Sequence, residues 1–294
     1  MKIFLTGATG HLGNELLKHF EQSHEVYFLS RRPEKTSKKN LQQNTEHIFH
    51  YKGKLQGLKQ FLKSKEIDYI VHCAADTRTS FQEHEFEEYL QSNFILPMQL
   101  LEASKDCPQI QKIILAGSYW QQQTTISGKK PLYTTLKESI SKIAKTYANK
   151  DLKIIELLLG DIYGPNDTRN KLISFLIQTK INNLKIELSP GEQRILPVYI
   201  SDVIGAFQES LDLDQEKCFE QFSIHEKSHT IKEIVSAINS VHTKSPSLKC
   251  SWGEKDYSEY QVMNPKALGR KPANWNPKVT LKEGIQELIK RSNL

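Results

Sequence analysis

The sequence predicts an α/β protein: an open, doubly wound parallel sheet followed by a smaller C-terminal lobe. Short apolar runs alternate with helix-period segments over the first 160 residues, three glycines join the first run to the first helix, and the alternation stops beyond Gly160. Taken in order, "KIFLTG" is a buried strand, "NELLKHFEQS" a helix and "EVYFLS" a second strand. "YIVHCAA" and "KIILAGS" are further strands ending in small residues, each preceded by a helical stretch such as "LKQFLKSK" or "QLLEASK". "LKESISKIAKTYANK" and "LKIIELLLG" add another helix and strand. Strands joined through helices run parallel by right-handed crossovers. After Gly160 come "YGPNDTR", "KLISFLIQTKI", the turn "SPGEQ", the strand-like "RILPVYI", a helix "HTIKEIVSAINSVH" that returns to the sheet, and a final amphipathic helix "LKEGIQELIKR". Residues 1–160, with about 201–240, are expected to form the first lobe, and 161–200 with 241–294 the second, with a ligand cleft between them.

Composition narrows the function. The 294 residues are 25% charged and 38% hydrophobic, as in a soluble globular enzyme. No run of about 18 apolar residues marks a membrane span, and Lys2 leads straight into a strand without a signal-peptide core. A cytoplasmic location is expected, with no membrane partner. The net charge of +6 is spread among 34 acids, and even "RRPEKTSKK" is interrupted, so a solvated loop is expected there and no nucleic-acid partner. Cys73, Cys107, Cys218 and Cys250 lack metal-ligand spacing and read as buried thiols; no metal site is expected.

Gly7, Gly10 and Gly13 lie between a strand and a helix, with Thr9, His11 and Leu12 in the same turn. That context lets backbone amides at a helix N-terminus hold a pyrophosphate, so the turn predicts a Rossmann-type dinucleotide site. After the second strand, Ser30, Arg31 and Arg32 stand where an acid would bind the ribose hydroxyls of NAD. Paired guanidinium groups suit a 2′-phosphate, which favours NADP(H), with NAD(H) still possible; the plainer reading is two solvated arginines.

Tyr133 and Lys137, four apart in "PLYTTLK", share one helix face. A phenol with a pKa near 10 becomes a useful proton carrier when an ammonium stabilises its anion. Ser118 ends the preceding strand and can bind the substrate oxygen; Thr124, Thr125 and Ser127 compete for that role. "GSYWQQQ" has Tyr119 and Trp120 directly after Ser118, where the sugar-nucleotide 4,6-dehydratases that the chain resembles in its glycine turn and Tyr–Lys pair carry an Asp-Glu pair for elimination; the resemblance therefore disfavours a dehydratase.

The spacing T-G-x-x-G-x-x-G, the Tyr133/Lys137 pair and Ser118 resemble the extended short-chain dehydrogenase/reductase family, also known as the NAD-dependent epimerase/dehydratase family. "GSYWQ", "LGDIYGPNDTRNKL", "SPGEQRILPVYISDVIGAF" and "NWNPKVTLKEGI" resemble the branch containing CDP-abequose and CDP-paratose synthases. That resemblance implies an NADPH-dependent reductase of a nucleotide-linked 4-keto-6-deoxyhexose, serving surface polysaccharide such as lipopolysaccharide O-antigen. Ser118, Tyr133 and Lys137 would be catalytic. It also implies that Cys73, Ala74, Ala75 and Tyr163 line the coenzyme. Asp76, Tyr119, Trp120, Asp167, Arg169, Lys171 and Arg194 would meet the substrate, although the last four read nearly as well as surface charge. Asn93 would support the active-site water or its own helix. Paired helices from "FEEYLQSNFILPMQLLEAS" and "TLKESISKIAKTYANK" imply a homodimer. The alternatives left open are a 4-epimerase that retains NAD and a non-catalytic nucleotide sensor.

Overall fold

The computed structural model describes residues 1–31, 45–78, 80–241, 246–266 and 269–292. Arg32 and most of "RRPEKTSKK" lie outside the described residues. The first strands and helices are β1 (Lys2–Thr6), α1 (His11–Phe20), β2 (Glu25–Ser30), β3 (Ile48–His50), α2 (Leu55–Ser64) and β4 (Tyr69–His72). Then come α3 (Phe86–Leu90), a π turn (Gln91–Ile95), α4 (Leu96–Ser104), β5 (Lys112–Ser118), α5 (Leu132–Tyr147) and β6 (Lys153–Leu159). The remainder comprises β7 (Asp161–Tyr163), α6 (Leu172–Ile181), β8 (Lys185–Leu188), β9 (Arg194–Ile195), β10 (Pro197–Tyr199), α7 (Ile200–Asp212), β11 (Phe219–Ile224), β12 (His229–Thr230), α8 (Ile231–Ser240), β13 (Lys249–Trp252) and α9 (Leu281–Arg291).

Seven strands form the expected parallel sheet in the order β11-β6-β5-β4-β1-β2-β3. Strand order reverses beside β1, whose Leu5 pairs with Phe28 of β2 on one side and Val71 of β4 on the other. In open α/β sheets a ligand crevice opens at the C-terminal strand ends of such a reversal. The glycine turn after β1 and the loop after β4 both lie there.

Packing divides the chain into two units: 1–121 with 131–157 and 207–222, and 122–130 with 158–206 and 223–294. The first unit buries Phe4, Leu58, Leu62, Ile70, Leu100, Leu101, Ile113 and Ile154 in one cluster. Lys112, at the start of β5, carries a buried ammonium that donates to the carbonyls of Ser210, Leu211 and Leu213, each at 2.9 Å. It thereby satisfies the orphan acceptors where α7 ends.

In the second unit, β7 pairs with β10, β9 with β12, and β8 with β13. Asp202 clasps the approach to α9: its carboxylate accepts from Lys278 N at 3.0 Å and Val279 N at 3.1 Å, and its carbonyl from Trp275 Nε1 at 2.8 Å. Residues 223–240, expected with the first lobe, group here instead. The helix read as returning to the sheet is α8, capped by Thr230, whereas β11 supplies the added sheet strand. Of the cysteines, Cys107 is buried; Cys73, Cys218 and Cys250 are half-buried, and none forms a disulfide. Among the described residues no helix is long and apolar enough to cross a membrane.

Candidate active site

Gly10 is the N-cap of α1, with no side-chain cap and no acidic residue in the first turn to compete with an anion. The turn closes through Gly10 N–H to Gly7 O at 2.9 Å and Asn14 N–H to Gly10 O at 2.9 Å. Gly7 needs its positive φ of 82°, and a Cβ there would stand 2.7 Å from Ala74 N. A Cβ on Gly13 would fall 2.1 Å from Gly7 O. Backbone therefore touches backbone, which presses the loop after β4 against the turn. Residue 6 completes this join. Thr6 Oγ1 lies 2.7 Å from His72 Nδ1 and accepts from Ala74 N–H at 3.3 Å. Ala74 and the glycine turn thus present bare backbone, a cradle that suits a dinucleotide phosphate.

Tyr133 is the second residue of α5, which starts after Pro131. Lys137 follows one turn later; its Nζ sits 6.0 Å from the centre of the Tyr133 ring and donates to Ala116 O at 2.8 Å. Burial holds this ammonium below its usual range, against the upward pull of Glu156 and Cys73. Burial, then the charge of Lys137, pulls His72 down to about 3, so that ring is neutral. Burial also pushes the Cys73 thiol up to about 12, with Lys137 opposing, so Cys73 is no nucleophile at neutral pH. Ser118, half-buried at the end of β5, accepts from Trp120 N–H at 3.3 Å, while Tyr119 is buried with its ring 5.5 Å from that of Trp120. Gly7, Gly13, Ala74, Ser118, Tyr133 and Lys137 all belong to the first unit.

A family model described as "NAD dependent epimerase/dehydratase family" matches residues 3–224. The chain belongs to that family. It is an NAD(P)-dependent enzyme. A CDP-abequose synthase from Yersinia pseudotuberculosis is 28% identical over 99% of this chain and 100% of its own. One from Salmonella muenchen is 24% identical over 98% and 97%. Among solved structures, MoeE5 in complex with UDP-glucuronic acid and NAD is 21% identical, with a TM-score of 0.79 and full coverage of both chains. A UDP-glucose 4-epimerase from Thermotoga maritima is 18% identical, with a TM-score of 0.74 over 100% of this chain and 99% of that one. At these identities the structures show the shared fold.

In this epimerase/dehydratase family member, Arg31 is already engaged: its Nη1 donates to Ser92 Oγ at 2.8 Å and to Glu88 at 3.2 Å. Asp76 is engaged as well. Arg78 forks onto its carboxylate, with Nη2 at 2.6 Å, and also pairs with Glu85. Burial pushes the Asp76 carboxyl up, yet Arg78 and then Arg31 outweigh it and hold it below the usual range. Asn93, in the π turn, accepts from Asp76 N–H and donates to Asp76 O, both at 3.0 Å. A π turn often marks a functional position, and here it clamps the loop that faces the glycine turn.

Tyr163, Asp167, Arg169, Lys171 and Arg194 lie in the second unit, whereas Thr9, His11, Leu12 and Ala75 lie in the first. The Tyr163 side chain is buried against Gly284, where a Cβ would stand 2.5 Å from its hydroxyl, and meets Tyr199 edge-on at 5.3 Å. Arg169 pairs with Asp167 at 2.7 Å, and Arg194 binds Ser228 and Glu233. Burial, then Arg169, lowers Lys171. Sequence alone assigned no role to Thr6, His72, Arg78, Gln121 and Glu156; the Thr that opens the glycine motif and the acid within "KIIELLLG" were the visible signals among them.

Proposed function

We propose that the chain is an NADPH-dependent reductase of a nucleotide-linked 4-keto-6-deoxyhexose. The observation that carries this reading is the Tyr133–Lys137 stack on α5, in the same unit as Ser118 and the glycine cradle, with Tyr119 and Trp120 where a dehydratase needs its acids. Two relatives named CDP-abequose synthase, alike over nearly the whole length, support the substrate class. Bound nicotinamide would supply hydride to C4 of the sugar. Tyr133 delivers the proton to the C4 oxygen, and Ser118 Oγ donates a hydrogen bond to that same oxygen. Lys137 holds the coenzyme ribose and favours the phenolate that remains after transfer. Gly7, Gly10 and Gly13, with Thr9, His11, Leu12 and Cys73–Ala75, would hold the pyrophosphate side. Arg31 and Arg32 would meet the 2′-phosphate.

A specific observation favours a second reading. Arg31 is ion-paired with Glu88, which weakens the argument for a 2′-phosphate, and the fold is shared with a 4-epimerase. Stoichiometry separates the two. With CDP-, dTDP-, UDP- and GDP-linked 4-keto sugars, net loss of NADPH absorbance with one of them supports reduction. Interconversion of 4-hydroxy sugars without net coenzyme change overturns it in favour of epimerisation. Exposed Phe86, Ile95 and Leu132 on α3, the π turn and α5 support a homodimer, with a solution mass twice the 33.9 kDa of the chain.

A further inference from the structure

One charge sits where an apolar strand least accommodates it. Glu156, midway along β6, is 2% exposed. Its carboxylate accepts from Gln121 Nε2 at 3.0 Å, from the Ser141 hydroxyl at 2.5 Å and from Gln221 Nε2 at 2.6 Å. Gln221 also donates to Ser141 Oγ at 3.0 Å. Hydrogen-bond logic fixes the direction of the chain. The Ser118 N–H can only donate, so the Gln121 amide oxygen takes it, at 2.6 Å, and the amide nitrogen turns to Glu156. Three donors converge on Glu156, as an ionised buried carboxylate requires. Gly117 is shaped to the same group, since a Cβ there would stand 2.7 Å from Glu156 Oε1 and 3.0 Å from Gln121 Oε1.

Ser141, a donor to this carboxylate, lies one turn after Lys137 on α5, and Ala116, whose carbonyl takes the Lys137 ammonium, precedes the Gly117 that makes room for Glu156. The groups acting on the Lys137 ammonium are the neutral His72 ring and the neutral Cys73 thiol from β4 and its end, Ala116 O from β5, the Tyr133 ring from its own helix, and Glu156 from β6. Glu156 supplies the negative charge. We infer that Glu156 and Gln121 are positioning residues of this site: Glu156 anchors Gln121, Gln121 fixes the turn at Ser118, and the same carboxylate is the buried counter-charge of Lys137. Neither touches the reacting atoms.

The inference uses the reductase reading only for its turnover readout. Glu156→Gln keeps the shape and removes the charge, leaving burial to act on Lys137 unopposed. In the full chain, kcat is expected to fall roughly tenfold with the sugar KM within about threefold, as for misplaced catalytic groups. Its alkaline limb is expected to move down by about one pH unit. The pH at which NADPH binding weakens, read by fluorescence titration, should move the same way. Gln121→Met cuts the link to Ser118 but keeps the charge, so kcat falls while the limb stays. A folded Glu156→Gln with wild-type kcat and pH profile overturns the inference. If that variant does not fold, undiminished kcat in folded Gln121→Met overturns it. If wild-type protein reduces no keto sugar, the reductase reading fails on its own; the NADPH binding profile then decides, and an unshifted profile in Glu156→Gln rejects the positioning role.

Discussion

At the scale of single residues, the chemistry rests on Tyr133 having a cation one helical turn away. Lys137 lies 6.0 Å from its ring and is fixed by Ala116 O, so its charge stays put when the phenol ionises. Replacing Tyr133 by Phe removes the proton carrier and leaves the ring. Loss of a general acid–base group costs about 10²–10⁴ in rate, whereas the glycine cradle and Lys137 are untouched. Turnover of the keto sugar is therefore expected to drop by at least about a hundredfold, with the NADPH dissociation constant within about twofold. Steady-state kinetics and a coenzyme fluorescence titration on one preparation test both halves; retained turnover would remove Tyr133 from the mechanism.

At the scale of elements, the β1–α1 turn separates two uses of glycine that the sequence shows as one motif. Gly13 packs on the backbone of Gly7, which cannot move aside for a Cβ at 2.1 Å, whereas a Cβ on Gly10 would be 3.3 Å from Gly7 O. Gly13→Ala is expected to destabilise the fold by about 1–3 kcal/mol through overpacking, lowering Tm with or without coenzyme. Gly10→Ala should lose less Tm than Gly13→Ala and lose at least about tenfold in NADPH affinity, because its methyl group stands at the helix N-terminus where phosphate would approach. Thermal unfolding paired with NADPH titration checks this; equal Tm losses in the two variants would refute the division. Such elements were legible because their signals are local: a strand, a glycine turn, and a Tyr–Lys pair at helical spacing on α5. The Asn93 clamp and the Gln121–Glu156–Ser141–Gln221 chain were not. Their partners lie up to 80 positions apart, and periodicity reports which face is buried without saying which polar groups meet there. The second unit was hardest to read, since its short strand pairs and the Asp202 clasp depend on contacts between distant loops.

At the scale of the whole molecule, buried histidines set how the fold responds to acid. His72 in the first unit is held at about 3 by burial and then by Lys137, while burial first of all lowers His24 and His225. Each binds protons less readily in the folded chain than in the unfolded one, whose value is 6.5. Between those limits the unfolded state takes up more protons, so stability is full above about 6.5 and falls as pH drops. For His72 the loss runs at about 1.4 kcal/mol per pH unit, or about 3 kcal/mol by pH 4.5. Asp76 and Glu85, whose carboxyls are also held low, contribute in the same sense but at lower pH: their stability is complete above about 4, the ordinary carboxylate range, and is lost as the pH falls below it. Acid sensitivity should therefore begin two units above the point where carboxylates alone would impose it. His72→Asn keeps an acceptor for the Thr6 hydroxyl and removes the titration. Between pH 7 and 4.5, the wild-type Tm is expected to fall further than that of His72→Asn, by roughly 5–10 °C. Superimposable pH profiles for the two proteins would show that the proton affinity of His72 is not coupled to folding.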